Sequence, residues 1–394
     1  LKCDPTKAVE TMKVKGSEEN RIFYDYLRFL AKKRAEAEAI NKEMRYAIEQ
    51  IVSTTEIPGI SIAVAGKDGL IWSGTAGYSK LEERQTVSQG HLFGAGDLSS
   101  FYIAVTAIQL IEEGLLDPDA KISRILGDQF SNLENFNKVT VKQLINQTST
   151  LNSYEQDNDW QRRARGIQFN PKYQWRKEEP LKYAVNSKNI TMGVPGSYYA
   201  YSKTNATLLG IIIEKISGGL LEDEIRTRLL IPENLNETYL DSYETPPAGS
   251  LSGSYHHGTN EFISNIGINA KFNFVDDGNL IETSNSSLSS EGAAGSIITT
   301  PRDLALFHIA IKNGKFFSQS ALNYLPKNSQ NGLERYHSEI LGFTSDMIML
   351  EKEELVIVSS VNVSTAGSGP SQIKDYLNDY MEKIILPVAK KYAK

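Results

Sequence analysis

The chain has 394 residues, 40% of them hydrophobic and 23% charged, which is enough apolar material for one large or two moderate folded domains. Its 42 Lys and Arg against 48 Asp and Glu leave a formal net charge of −6, so there is no general attraction for nucleic acid or an anionic lipid surface. The single cysteine, Cys3, excludes an intrachain disulfide and a paired-cysteine metal site, and no apolar run approaches the roughly 20 residues of a spanning helix.

The chain begins at Leu1, which leaves room for a leader removed by processing. Cys3 is then a candidate lipid anchor, although Lys2 before it is a poor match to the small residue such sites use. From Ser17 to Val52, Ile22, Tyr26, Phe29, Leu30, Met44, Ala47 and Ile51 recur at helical spacing. They predict one or two amphipathic helices packed on the core, an N-terminal extension over residues 1–52. Their polar face carries both charge signs, which argues against a membrane-surface helix.

Ile60 to Ala65 reads as a strand, Lys67-Asp68-Gly69 as a turn, and Leu70 onward as the return strand. Near the other end, Thr344 to Leu350 and Leu355 to Val361 form a second hairpin across Glu351 to Glu354. Ile373, Tyr376, Leu377, Tyr380, Ile384 and Ile385 then mark a closing amphipathic helix over about 372–388. Strands at both ends of a helix-rich middle predict an α/β (α+β) domain over 53–394. Its antiparallel sheet would come from about 57–80 and 343–362, flanked by helices, with a large helix-rich insertion at about 97–330.

Several passages carry a family resemblance: Ile57-Pro58-Gly59, Phe93 to Gly96, Glu112 to Asp117, Thr140 to Ile145 with Thr148-Ser149, Pro195 to Ser202, and Gly292 to Gly295 with Thr299-Thr300. In order and spacing they resemble the serine β-lactamase and penicillin-binding-protein family, nearest its class C, carboxypeptidase and esterase branches. The resemblance implies a β-lactamase/transpeptidase-like fold and an exported protein of a bacterial envelope. Active members place a serine at the start of a helix and a lysine three residues later. That spacing puts both on one helix face, where the ammonium eases loss of the hydroxyl proton. The helix N-terminus favours the developing oxyanion.

Here the serine position is Asp97 and the lysine position is Ser100, with no lysine between Lys80 and Lys121 to restore the pair. An SxxK string at Ser371 to Lys374 opens the closing helix and is read as chance. Asp97 is expected to cap the helix, a role worth about 1 kcal/mol, and a carboxylate nucleophile would form a reactive anhydride. The second family segment reads Tyr201-Ser202-Lys203, with lysine where asparagine is usual. Lys203 is expected to form an ion pair with Asp97, the alternative being a solvated loop charge. The third reads His337-Ser338-Glu339, with Glu339 in place of a glycine and expected to crowd the substrate groove. Gln147 reads as a structural hydrogen-bonding residue, and His256-His257 as a loop pair without metal-ligand companions.

The candidate site is therefore Asp97, Ser100, Tyr201 and Lys203, with His337 and Glu339 on the substrate side. Two functions compete on these residues. One is a catalytically impaired member whose cleft binds a peptide, a cell-wall fragment or a protein partner. The other is an active serine hydrolase with a rearranged centre, using Ser99 or Ser100 with Tyr201 and Lys203. A third possibility is a structural role with self-association through the leading helices. None of these calls for a cofactor.

Overall fold

The two hairpins read at opposite ends of the chain meet in one sheet. The computed structural model describes residues 18–185, 193–275, 280–326, 329–330, 332–365 and 372–392. Cys3 and Ser371 lie outside them. The principal sheet holds β1 (Gly59–Gly66), β2 (Gly69–Lys80), β3 (Gln85–Thr86), β4 (Ser329–Gln330), β5 (Leu333–Ile340), β6 (Phe343–Leu350) and β7 (Leu355–Val361). Their spatial order is β4-β5-β6-β7-β1-β2-β3, antiparallel throughout. The two ends of the chain join where β1 pairs with β7, Ile60 facing Val361 and Val64 facing Ile357.

Alternation along these strands divides the core in two. Ile60, Ile62, Val64, Ile348 and Ile357 face one side, against α1 (Glu18–Thr54) and the closing helix that begins at Gln372. Ala63, Ala65, Met347, Met349, Val356 and Val358 face the other, where the insertion packs. Three of its helices matter for the site: α2 (Ser99–Glu112), α3 (Lys203–Ser217) and α4 (Pro301–Lys312). The small Ala63 and Ala65 side chains suit the close approach of α4, which lies against β1 and β7. Because β1, β6 and β7 are buried along their whole length, they read as apolar runs rather than alternating patterns.

The insertion and its flanks hold more strand than their sequence indicates. Phe93–Gly94, Ile297–Thr299 and Thr238–Leu240 form a three-stranded sheet, and Val363–Ser364 joins Tyr255–His257, Leu280–Glu282 and Asn273–Phe274 in another. Segments of two or three residues are too short to show a period of two. His256 and His257 accordingly sit on a strand rather than in a loop. Among the described residues, no helix is long and apolar enough to cross a membrane.

The leading segment is one helix, and only its second half packs as expected. Ile40, Met44, Ala47, Ile48 and Ile51 are buried, whereas Phe23, Tyr26, Phe29 and Leu30 are exposed. At 1.5 Å per residue the helix is about 55 Å long and outruns the sheet it packs on. Ion pairs such as Arg34–Glu38 at i, i+4 support the projecting part. Replacing Ile48 by Ala should cost about 2–4 kcal/mol in denaturant unfolding, as a buried aliphatic truncation does. Phe29→Ala should change stability by no more than about 0.5 kcal/mol.

Candidate functional site

The strand at Phe93–Gly94 pairs with Ile298 and Thr299 and delivers the chain to a 3-10 turn, Gly96–Leu98, that leads into α2. Gly96 has φ +54°, and a Cβ there would lie 2.2 Å from Ser338 Oγ on β5. Glycine is therefore required both for its conformation and for the close approach of β5. Ser338 uses that proximity: its hydroxyl donates to Ala95 O at 2.9 Å and accepts from the Asp97 amide at 2.6 Å.

Asp97 does not cap α2, contrary to the sequence expectation. It lies inside the 3-10 turn, the N-cap position falls on Leu98, and no side-chain cap bond forms. Its carboxylate instead turns toward Lys203, the first residue of α3. Ser202 before it is extended, and its amide donates to Gln147 Oε1 at 3.1 Å; the Asn205 amide group reaches the same oxygen at 2.6 Å. Gln147, at φ +59°, thus ties the start of α3 to the preceding loop. The Lys203 amide donates to Ser153 Oγ at 3.2 Å.

Lys203 is wholly buried, and its ammonium lies among three carboxylates. Nζ is 2.7 Å from Glu291 Oε2, 2.9 Å from Glu155 Oε2 and 3.5 Å from Asp97 Oδ1. The ion pair expected from the sequence is therefore present, but Glu291 and Glu155 hold the ammonium more closely. Arg165 braces Glu291 from the other side through Nε at 3.1 Å and a terminal nitrogen at 2.7 Å. Its guanidinium sits 4.7 Å over the Trp160 ring, whose indole nitrogen donates to Ser290 O.

The titration behaviour follows from this arrangement. Burial alone would lower the Lys203 pKa, but Glu155, Glu291 and Asp97 outweigh it and raise the value above that of an ordinary lysine. Burial would likewise raise Glu291, yet Arg165 and Lys203 hold its carboxyl below the usual range. Asp97 is less well compensated. Burial raises its pKa from 3.8 to about 6, with Lys203 opposing and Glu155 adding to the rise. Its side chain keeps 26% exposure, while Oδ1 is buried with Lys203 Nζ 3.5 Å away. Tyr201 lies beside it, its hydroxyl facing that carboxylate; burial and the Asp97 charge push its phenol well above 10.

The serines near the turn are committed to backbone partners. Ser100 Oγ donates to Asp97 O at 2.7 Å, and buried Ser99 Oγ accepts from the Ile297 amide at 3.2 Å. His337 and Glu339 flank Ser338 on β5 and, by strand alternation, point to its opposite face. Glu339 is therefore directed away from Asp97 rather than into the groove beside it. It accepts from the Thr365 amide and, at 2.8 Å, from the Thr365 hydroxyl. His337 Nδ1 is 2.8 Å from Asp346 Oδ1, and Nε2 is 3.6 Å from Glu339. Burial opposes its charge, but the bonds to Asp346 and Glu339 raise its pKa to about 9.

Glu155, Arg165 and Glu291 were not among the residues read from the sequence. Glu155 and Glu291 lie in short 3-10 segments and Arg165 at the C-terminal end of a seven-residue helix, Asn158–Ala164, all too short to show a clear period. For Glu291 one signal exists, a lone charge inside the small-residue run Ser289-Ser290-Glu291-Gly292-Ala293-Ala294. Elsewhere, buried His256 has Nδ1 3.0 Å from Ser364 Oγ, and burial lowers its pKa to about 3. Among the described residues, no group of three or more His, Cys, Asp or Glu is placed to hold a metal ion.

Residues 44–343 match the β-lactamase family. Penicillin-binding protein 4* of Bacillus subtilis (strain 168) is 28% identical over 207 residues, covering 50% of this chain and 41% of that protein. A β-lactamase of Escherichia coli (strain K12) is 25% identical over 218 residues, 54% of this chain and 51% of that protein. The chain spans about half the length of the curated relatives it matches. The structure of D-amino acid amidase from Ochrobactrum anthropi SV3, complexed with L-phenylalanine amide, is similar with a TM-score of 0.71 at 19% identity. It covers 88% of this chain and 99% of that one, and at that identity the likeness is one of fold.

Two outcomes test the charge cluster. Lys203→Met should destabilise the protein by about 3–5 kcal/mol at neutral pH, because it leaves buried carboxylates without their cation. Asp97 is raised in the folded state, so between about pH 4 and pH 6 the native protein holds a proton that the unfolded chain releases. Its contribution to stability is thus full below about pH 4 and falls as pH rises to about 6. Subtracting the unfolding free energies of Asp97→Asn from those of the unmodified protein should reveal that downward slope. A difference that does not change across this window would contradict the assignment.

Proposed function

This chain belongs to the β-lactamase family, and on that premise we propose that it is a ligand- or partner-binding member in which acyl-enzyme chemistry has been lost. The carrying observation is the enclosure of Lys203 by Glu291, Glu155 and Asp97. An acyl-enzyme needs a hydroxyl whose proton a neighbouring base can take. Lys203, held as ammonium, cannot accept that proton, and position 97 offers no hydroxyl. Ser100 donates its hydroxyl proton to Asp97 O, and Ser99, which accepts from the Ile297 amide, is fully buried. The Asp97 amide, at the helix start where an oxyanion would be met, already donates to Ser338.

The same geometry indicates what the cleft prefers. Asp97 presents a partly exposed, under-compensated carboxylate beside Tyr201, which suits a ligand bringing an ammonium or another hydrogen-bond donor. A peptide or cell-wall fragment with a free amine meets that requirement. An exported location accords with the family and is part of this proposal.

A second reading, an active hydrolase with a rearranged centre, draws on the burial that pushes the Asp97 carboxyl up to about 6 against the opposing Lys203 charge, a value suited to general acid–base work. Labelling with a fluorescent penicillin and a fluorophosphonate, followed by an ester, amide and β-lactam turnover panel, separates the two. The binding reading predicts neither label nor turnover, and stoichiometric label on the unmodified protein would overturn it. Turnover without label that disappears in Asp97→Asn would favour the second reading.

A further inference from the structure

The face of α1 that packs on the sheet does not end where the sheet ends. Read in sevens, Phe23, Leu30, Ala37, Met44 and Ile51 share one position, and Tyr26, Lys33, Ile40 and Ala47 share the position three residues later. That is the apolar seam of a coiled coil, sustained over four heptads with one charged residue in it. Ile40, Met44, Ala47 and Ile51 are buried in the core, whereas Phe23, Tyr26 and Leu30 on the same seam, and Phe29 beside it, are 42–57% exposed. A helix owes most of its stability to the surface its apolar face meets, and these four side chains are left largely to water.

We propose that the projecting half of α1 pairs with the same segment of a second copy of this chain, as an antiparallel two-helix coiled coil. Charge favours self-pairing: from Glu18 to Ala39, Arg21, Arg28, Lys32, Lys33 and Arg34 balance Glu18, Glu19, Asp25, Glu36 and Glu38. Two copies therefore do not repel, and neither a strongly basic nor a strongly acidic partner is selected. Area agrees. Eight such side chains, about half exposed and about 200 Å² each, bring roughly 800 Å² of apolar surface to the pair. The aliphatic stems of the flanking Lys and Arg extend it toward the ~1,200 Å² of the smallest standard interfaces.

The direction follows from the sheet. A parallel partner tracking the seam would run at Ile40 into the strands that already cover it, and would set Lys33 against its own copy. An antiparallel partner avoids both. With the two-fold axis at Arg28, Tyr26 meets the partner's Leu30, and Phe23 meets the partner's Lys33, whose ammonium can lie over the ring. The partner's Glu18 comes level with Glu38, just short of the packed turns, and the two Ile40 positions stand about 36 Å apart along the axis, which leaves room for both folded bodies. The proposal is independent of the reading of the Asp97 cleft.

Sedimentation equilibrium of the whole chain tests it. An interface of this size predicts micromolar dissociation: twice the 43.8 kDa of the chain at about 100 µM, falling to the single mass below about 1 µM, where Phe29→Ala is judged for stability. Leu30→Asp should hold the chain at single mass at 100 µM with its unfolding transition unchanged, because Leu30 is exposed in the single chain; Tyr26→Asp should do the same. Nitroxide labels on Glu38→Cys, in a Cys3→Ser background, should lie about 30–35 Å apart in the antiparallel pair, against roughly 20 Å in a parallel one. Single mass at 100 µM, a dimer that persists in both aspartate variants, or the shorter label distance would each overturn the proposal.

Discussion

The centre of this protein depends on one buried ammonium. Lys203 is fully removed from water, and an isolated charge in that position costs several kcal/mol. Its stability rests on carboxylates brought from three separate segments, Asp97, Glu155 and Glu291, and Glu291 in turn takes a second cation, Arg165. Three carboxylates against two cations leave one excess negative charge. It falls on Asp97, the carboxylate farthest from the ammonium and the one whose pKa is raised. The ion pairs thus account both for the raised pKa of Lys203 and for that of Asp97.

The scaffold holds this cluster by close contacts rather than by length of chain. Gly96 allows β5 to approach until Ser338 bonds the Asp97 amide, while Gln147 anchors the start of α3. The helix start and the lysine-bearing helix are therefore fixed relative to the sheet before any charge is considered. The similarity to D-amino acid amidase concerns this scaffold. Chemistry resides in the side chains placed on it, which a shared fold does not transmit.

The sheet was legible because buried strands are apolar runs closed by recognisable turns: β1, β2, β6 and β7 lie where Lys67-Asp68-Gly69 and Glu351 to Glu354 indicated. The Asp97–Lys203 pair was legible because two departures from one family pattern compensate each other in charge. Glu155, Glu291 and Arg165 were not, since they converge through tertiary packing from segments too short to show a period. The capping expectation for Asp97 failed because a 3-10 turn precedes α2 and moves the cap to Leu98. Glu339 was misplaced by one step of strand alternation: Ser338 faces Asp97, so its neighbours do not. The projecting aromatic residues of α1 carry the same helical period as its buried ones, and sequence cannot tell which turns of a long helix meet the core.

The state of Lys203 is the most direct test. Nitrogen-15 NMR of the lysine side chains, assigned with Lys203→Met, reports protonation of Nζ as pH is raised. Enclosure by three carboxylates predicts that Lys203 stays an ammonium beyond the ordinary lysine value of about 10.4. Deprotonation between about pH 7 and pH 8, where a lysine serving as a general base works, would contradict it.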